Sequence, residues 1–128
     1  MHILLADDDP VYRNLLAGLL QQWDFSFVVA ENGRQAWDIL RQDDSPKLAI
    51  LDWMMPEMDG FEACRLVRQV KGDLVPYILL MTGNGRREEL VRVMVAGADD
   101  YILKPFEPLD LKIRLRLAMR VLDLEERV

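Results

Sequence analysis

Apolar and polar positions alternate along this chain in two rhythms. Short apolar runs occur at 3–6, 25–30, 48–51, 77–81 and 101–103, interrupted only by Ser26. Between them lie longer stretches in which apolar residues return every three or four positions. Unbroken runs suit strands buried on both faces, and the amphipathic stretches suit helices that cover them. Five turns of this alternation predict an α/β fold of βα units around a parallel sheet.

The helices carry their own punctuation. Asp9 before Pro10 supplies a cap and a first-turn proline for a helix whose apolar positions are Val11, Leu15, Leu16, Leu19 and Leu20. Asn32-Gly33 turns into a second helix over 34–41, with Ala36, Trp37 and Leu40 inward, and Asp59-Gly60 opens a third with Phe61, Cys64, Val67 and Val70 inward. A fourth, over 86–96, has the weakest apolar stripe and ends before Gly97, a natural C-cap, so it is expected to be partly exposed and movable. The last helix starts after Pro108 and runs over 109–128 with no Gly or Pro to stop it. Leu111, Leu115, Ala118 and Leu122 form one stripe; Ile113, Leu117, Val121, Leu124 and Val128 form another at near-heptad spacing. Two stripes suit two partners, the domain's own sheet and a second helix; a solvated tail is the plainer alternative.

Composition narrows this to one domain spanning 1–128: a chain of 128 residues with 51% apolar content can build one core and has no room for two. A formal charge of −6 argues against direct nucleic-acid binding, which needs clustered Lys and Arg. The single cysteine, Cys64, excludes an internal disulfide, and neither a basic leader nor a long apolar stretch precedes the first strand. The expected setting is cytoplasmic, without membrane insertion.

Chemistry gathers where the strands end. Asp7, Asp8 and Asp9 follow the first run, Asp52 the third, Thr82-Gly83 the fourth and Lys104-Pro105 the fifth. In a parallel sheet these ends share the carboxyl edge, where open α/β sheets place ligands. Crowded carboxylates resist joint ionisation unless a cation neutralises them, so a divalent metal is expected, and Mg²⁺ (or Mn²⁺) suits acids combined with a phosphate. Asp52 is the candidate nucleophile toward phosphorus. The ammonium of Lys104 and donors near Thr82 would stabilise the charge that its attack builds up, and the Gly83 amide can approach a phosphoryl oxygen closely. Singly, each residue has an ordinary structural explanation; their coincidence at successive strand ends does not.

Asp7-Asp8-Asp9, the run from Leu51-Asp52-Trp53-Met54-Met55-Pro56 to Asp59-Gly60, Thr82-Gly83, and Gly97-Ala98-Asp99-Asp100-Tyr101-Ile102-Leu103-Lys104-Pro105-Phe106 closely resemble the receiver domain of two-component response regulators. The resemblance covers nearly the whole chain. It implies a flavodoxin-like (CheY-like), doubly wound five-stranded sheet in order 2-1-3-4-5, flanked by five helices with an extended C-terminal helix. It implies phosphorylation of Asp52 by a histidine kinase or phosphotransfer protein with Mg²⁺. Asp8, Asp52 and the backbone carbonyl of Met54 would hold the metal, with Asp7 acting mainly through water. Lys104 would contact the phosphoryl group, with Gly83, Met54 and Trp53 as its neighbours. The Lys104-Pro105 bond would be cis, and Thr82 and Tyr101 would form the switch. Such a domain is regulatory; its partner is a C-terminal output domain or effector, and a homodimer could form through the fourth helix, fifth strand and fifth helix, with Arg92, Asp100, Asp110 and Arg114 either pairing across it or standing as surface charge. Gly83 stands where Ala is most frequent in the family, and Met54 and Asn84 flank the path of a hydrolytic water; a bulky Met54 would hinder that water while a small Gly83 opens the site, so these two oppose each other in setting adduct lifetime.

Two rival classes share parts of this pattern. A haloacid-dehalogenase-type phosphohydrolase also uses a strand-end Asp with Mg²⁺, but it wants an acid two residues after the nucleophile, where this chain has Met54. A degenerate interaction module would keep the fold without the acids, hydroxyl and ammonium. His2 reads as a partly buried structural residue, Cys64 as a core thiol, Trp23 and Trp37 as packing residues, and Trp53 as a reporter beside Asp52.

Overall fold

The computed structural model describes residues 2–83 and 85–127, with side chains as far as 124. Met1, Asn84 and Val128 lie outside it, so the second-stripe position at Val128 and the water-path position at Asn84 lie outside the described residues. The order is β1 (His2–Ala6), α1 (Pro10–Gln22), β2 (Ser26–Ala30), α2 (Gly33–Leu40), β3 (Leu48–Asp52), α3 (Gly60–Lys71), β4 (Tyr77–Thr82), α4 (Arg87–Val95), β5 (Asp100–Leu103) and α5 (Pro108–Arg127). All pairings are parallel, in the order β2-β1-β3-β4-β5. The predicted architecture is the observed one.

Side chains of β1, β3 and β4 alternate between two cores, which is why their runs at 3–6, 48–51 and 77–81 are apolar throughout. Leu4, Ala6, Ala49, Leu51, Ile78 and Leu80 face α2, α3 and α4, packing against Ala36, Leu40, Cys64, Val67 and Val93. Ile3, Leu5, Leu48, Ile50, Leu79 and Met81 face α1 and α5, packing against Leu16, Leu20, Leu111, Leu115, Ala118 and Leu122.

The caps sit where the sequence placed them. The Asp9 carboxylate accepts from the Val11 amide at 2.9 Å with Pro10 at the helix start, Asn32 accepts from Gln35, and Asp59 from Glu62. Helix α4 has Arg86 at its N-cap with no side-chain cap hydrogen bond, has one fully buried residue, Val93, and is followed by Gly97 in the left-handed region at φ 102°. Its weak apolar stripe is therefore matched by weak anchoring.

Several inward expectations fail for a geometric reason. On α1 only Leu16 and Leu20 are buried, whereas Val11 and Leu15 point to solvent, because the helix rests on the sheet along a narrow line. On α3, Val70 is 62% exposed and Ala63 takes the inward place. His2 is exposed, its ring 3.0 Å from Ser26 Oγ on the neighbouring edge strand. The first α5 stripe is buried as predicted, while Ile113, Leu117, Val121 and Leu124 form an exposed apolar line. Among the described residues no helix is long and apolar enough to cross a membrane.

Candidate functional site

Parallel register alone brings the chemistry together. Asp7 follows the last residue of β1, Asp52 ends β3, Thr82 ends β4 and Lys104 follows β5, so all reach the carboxyl edge of the sheet. Gly60 fixes the loop behind Asp52: its amide donates to the Trp53 carbonyl at 2.8 Å, and a Cβ there would collide with the Asp52 carbonyl oxygen. The Lys104 amide donates to the Thr82 carbonyl at 2.8 Å, which ties the lysine to the end of β4. The Lys104-Pro105 bond is cis, as the resemblance implies, and so is Val75-Pro76, for which the sequence reading had no expectation.

Lys104 bridges the acids. Its Nζ donates to Asp7 Oδ2 at 2.8 Å and lies 3.1 Å from Asp52 Oδ1. Asp7 is wholly buried, its Oδ1 accepts from the Asp9 amide at 2.9 Å, and its carbonyl accepts from Arg13 Nη1 at 2.9 Å. Asp7, Asp8 and Asp52 each offer an oxygen within 4.8 Å of the others, Asp8 being the exposed member. Burial pushes the Asp52 carboxyl up to about 6; the neighbouring Asp7 charge adds to this, and Lys104 pulls it back only in part. Burial works against the Lys104 charge, but its hydrogen bond to Asp7 and the charge of Asp52 outweigh this and hold the ammonium above its ordinary value. Three converging hard oxygen donors, one of them kept from ionising readily by burial and by the Asp7 charge, fit a divalent cation.

Around this centre lie the remaining expected residues. Thr82 is buried, and Gly83 has open space where a Cβ would stand. Met54 is 69% exposed at the rim. The Trp53 ring turns inward onto Phe61, with centroids 5.4 Å apart, and its amide donates to the Met81 carbonyl at 2.8 Å. A cavity of about 450 Å³ is lined by Trp53, Met54, Thr82, Gly83, Glu89 and Arg92. Tyr101 is half-buried beside a second, apolar cavity of about 570 Å³ along α4, with the Arg114 guanidinium 5.9 Å from its ring.

The charges suggested for a dimer face are engaged within the chain. Arg114 pairs with Asp100 at 2.7 Å and with Asp110 at 3.0 Å. Arg92 lies over the rings of Trp53 and Phe61, at 5.6 and 5.3 Å, and 3.4 Å from Glu89. Sequence reasoning missed this Arg92 stack, as it missed Tyr12, whose ring lies against Lys104 Nζ at 4.0 Å, and Arg13. Nothing in the spacing of these residues distinguishes them from other helix-surface positions. A further unforeseen tie joins α3 to the start of β5: Arg68 donates to the Gly97 carbonyl at 2.8 Å and to Asp99 Oδ2 at 2.7 Å, and the same Asp99 oxygen accepts from the Ile78 amide.

The response regulator receiver domain family matches residues 3–116. Over 116 residues the chain is 36% identical to a chemotaxis protein CheY homolog of Campylobacter jejuni, covering 90% of this chain and 89% of that one. Its fold matches the receiver domain of the sensor histidine kinase PA1611 of Pseudomonas aeruginosa, solved with a magnesium ion coordinated in its active-site cleft, with a TM-score of 0.80, 27% identity, and coverage of 93% of this chain and 94% of that one. It also matches a probable two-component response regulator/GGDEF domain protein, with a TM-score of 0.89, 26% identity and 96% coverage of this chain, which spans 50% of the other. With most of its length matched and the acids, hydroxyl and ammonium at the sheet edge, the chain belongs to the receiver domain family of two-component response regulators.

Proposed function

We propose that this chain is a phosphoacceptor switch: Asp52 takes a phosphoryl group from a histidine kinase or phosphotransfer protein, and the adduct changes the α4–β5–α5 surface. The observation that carries this reading is the bridge from Lys104 to Asp7 and Asp52 beside the Asp8 carboxylate. An Asp52 oxygen forms a bond to phosphorus as the bond from phosphorus to the donor nitrogen breaks, and that electron pair leaves with the donor imidazole. Asp8, Asp52 and the Met54 carbonyl would hold a divalent cation, Mg²⁺ or Mn²⁺, with Asp7 acting through water, and such an ion would supply positive charge against the negative charge of the transfer. Lys104 stands close enough to Asp52 to exchange its carboxylate contact for a phosphoryl oxygen, and Gly83 carries no side chain and has open space where a Cβ would stand. Trp53 and Met54 form one wall of the cavity beside Asp52.

The Thr82 hydroxyl is drawn toward the new oxygens, the chain from Gly83 to Arg87 follows, and Tyr101 turns toward the vacated space. Helix α4 then presents a changed groove to a C-terminal output domain or effector. The exposed α5 line of Ile113, Leu117, Val121 and Leu124 supports a helical partner, including a second copy of the chain; a monomer by solution mass both with and without fluoroberyllate would exclude the dimer. The role is regulatory and cytoplasmic, with neither direct nucleic-acid contact nor membrane insertion.

Intact mass after incubation with acetyl phosphate tests the proposal. One phosphoryl group should be gained only with Mg²⁺ and only while Asp52 is present, so labelling of Asp52→Asn at the wild-type level refutes it. Many turnovers of small phosphate esters would instead mark a phosphohydrolase, the reading that an exposed Met54 in place of a second acid disfavours.

A further inference from the structure

Lys104 is held from three sides, and only two of them are acids. Beyond Asp7 and Asp52, the third side is the face of Tyr12, whose ring centroid lies 4.0 Å from Nζ. An ammonium over a ring face is attracted by the negative quadrupole, more strongly where water is excluded. Here the Lys104 side chain is only 14% exposed. Tyr12 lies in the first turn of α1 and packs in turn on Phe106, with centroids 6.2 Å apart and rings tilted by 47°. Phe106 is two residues beyond Lys104, so lysine, tyrosine and phenylalanine close a small triangle. The next residue, Arg13, ties the same turn of α1 to the Asp7 carbonyl.

A lysine that changes anionic partners must keep its flexible stem in place during the exchange. Asp7 cannot follow it, because the other oxygen of its carboxylate is bound to the Asp9 amide. A ring face has no directional hydrogen bond to break, so it can support the ammonium before and after the exchange. We propose that Tyr12 is a positioning residue for Lys104: its ring face covers the open side of the ammonium and keeps it within reach of phosphoryl oxygens on Asp52. This assignment rests on the reading of Asp52 as phosphoacceptor.

The test separates the electrostatics of the ring from its bulk. Tyr12→Phe keeps the face, and Tyr12→Leu keeps apolar volume without a quadrupole. Phenylalanines carrying increasing numbers of ring fluorines at position 12 keep the shape while draining negative charge from the face. Each full-length variant is incubated with acetyl phosphate and Mg²⁺, and the rate of adduct formation is read by intact mass. Tyr12→Phe should stay within about twofold of wild type, Tyr12→Leu should slow roughly three- to tenfold, and the fluorinated series should slow stepwise. Equal rates across the fluorinated series overturn the role of Tyr12 while leaving the phosphoacceptor reading intact. A wild type that gains no Asp52-dependent adduct overturns both. If Tyr12→Leu does not fold, the near-isosteric fluorinated variants still decide.

Discussion

Replacing Asp52 by Asn should stabilise the protein when no metal is present, although it removes an ion-pair partner of Lys104. The Asp52 carboxyl moves from 3.8 to about 6 on folding, chiefly through burial and secondly through Asp7, and this shift already includes the opposing pull of Lys104. The folded state therefore binds a proton that the unfolded state has released. The contribution of this carboxyl to stability is fullest below about pH 4, falls as pH rises through the window from 3.8 to about 6, and stays reduced above it. At roughly 1.4 kcal/mol per pH unit, the two-unit shift sets a ceiling of about 3 kcal/mol, and relaxation around the exposed Asp8 side of the site lowers the expected value to about 1–2 kcal/mol. For a domain of this size that is a gain of roughly 3–8 °C in Tm at pH 7.5 in EDTA. Thermal unfolding of wild type and Asp52→Asn at pH 4.5 and 7.5 isolates the effect, because other titrating groups largely cancel in the difference. The stability difference should shrink at pH 4.5, and millimolar Mg²⁺ should raise the Tm of wild type more than that of the variant. An Asp52→Asn protein less stable than wild type at pH 7.5 in EDTA would refute the reasoning.

Three further outcomes are expected. Arg68→Ala strips Asp99 and the Gly97 carbonyl of a buried donor and should cost about 2–4 kcal/mol in urea unfolding, with a loss under 1 kcal/mol showing that the tie is dispensable. Leu115→Ala, in the α1–α5 core, should cost about 2–4 kcal/mol, whereas Leu117→Ala on the exposed line should change stability by less than about 0.5 kcal/mol; similar losses would show that the two α5 stripes are wrongly assigned. Cys64 is buried, donates to the Ala96 carbonyl, and has its thiol pushed up to about 12, so it should resist a disulfide reagent at pH 8 until denaturant is added; prompt reaction in the native state would contradict its burial.

The fold was legible because both rhythms of the chain answer to one cause. Strands such as β3 and β4 are buried on both faces and so read as unbroken apolar runs, and strand order followed from the family motifs rather than from the runs themselves. The acids, Thr82 and Lys104 were legible because a parallel sheet sends every strand end to the same edge. What escaped is contact between side chains on different elements. Tyr12 over Lys104, Arg92 over Trp53 and Arg68 on Asp99 join residues far apart in sequence, and each looks locally like a polar or amphipathic helix position. Helix orientation was legible only in part: Val11, Leu15 and Val70 share the spacing of their buried neighbours and lie just past the contact line, where a period of 3.6 cannot tell edge from centre.

The thin anchoring of α4 sets the scale on which a signal can act. One fully buried side chain, no capping hydrogen bond and a run of exposed Val91, Met94 and Val95 leave little free energy holding this helix in one position. Two arrangements separated by a small gap exchange populations tenfold for each 1.4 kcal/mol of bias, so a few new contacts at the end of β4 suffice to redistribute them. The cores on either side of the sheet are too deeply packed to respond to such a bias. A rigid sheet with one loosely held helix confines the response to the surface that a partner would read, and its sensitivity is set by how little holds α4 down.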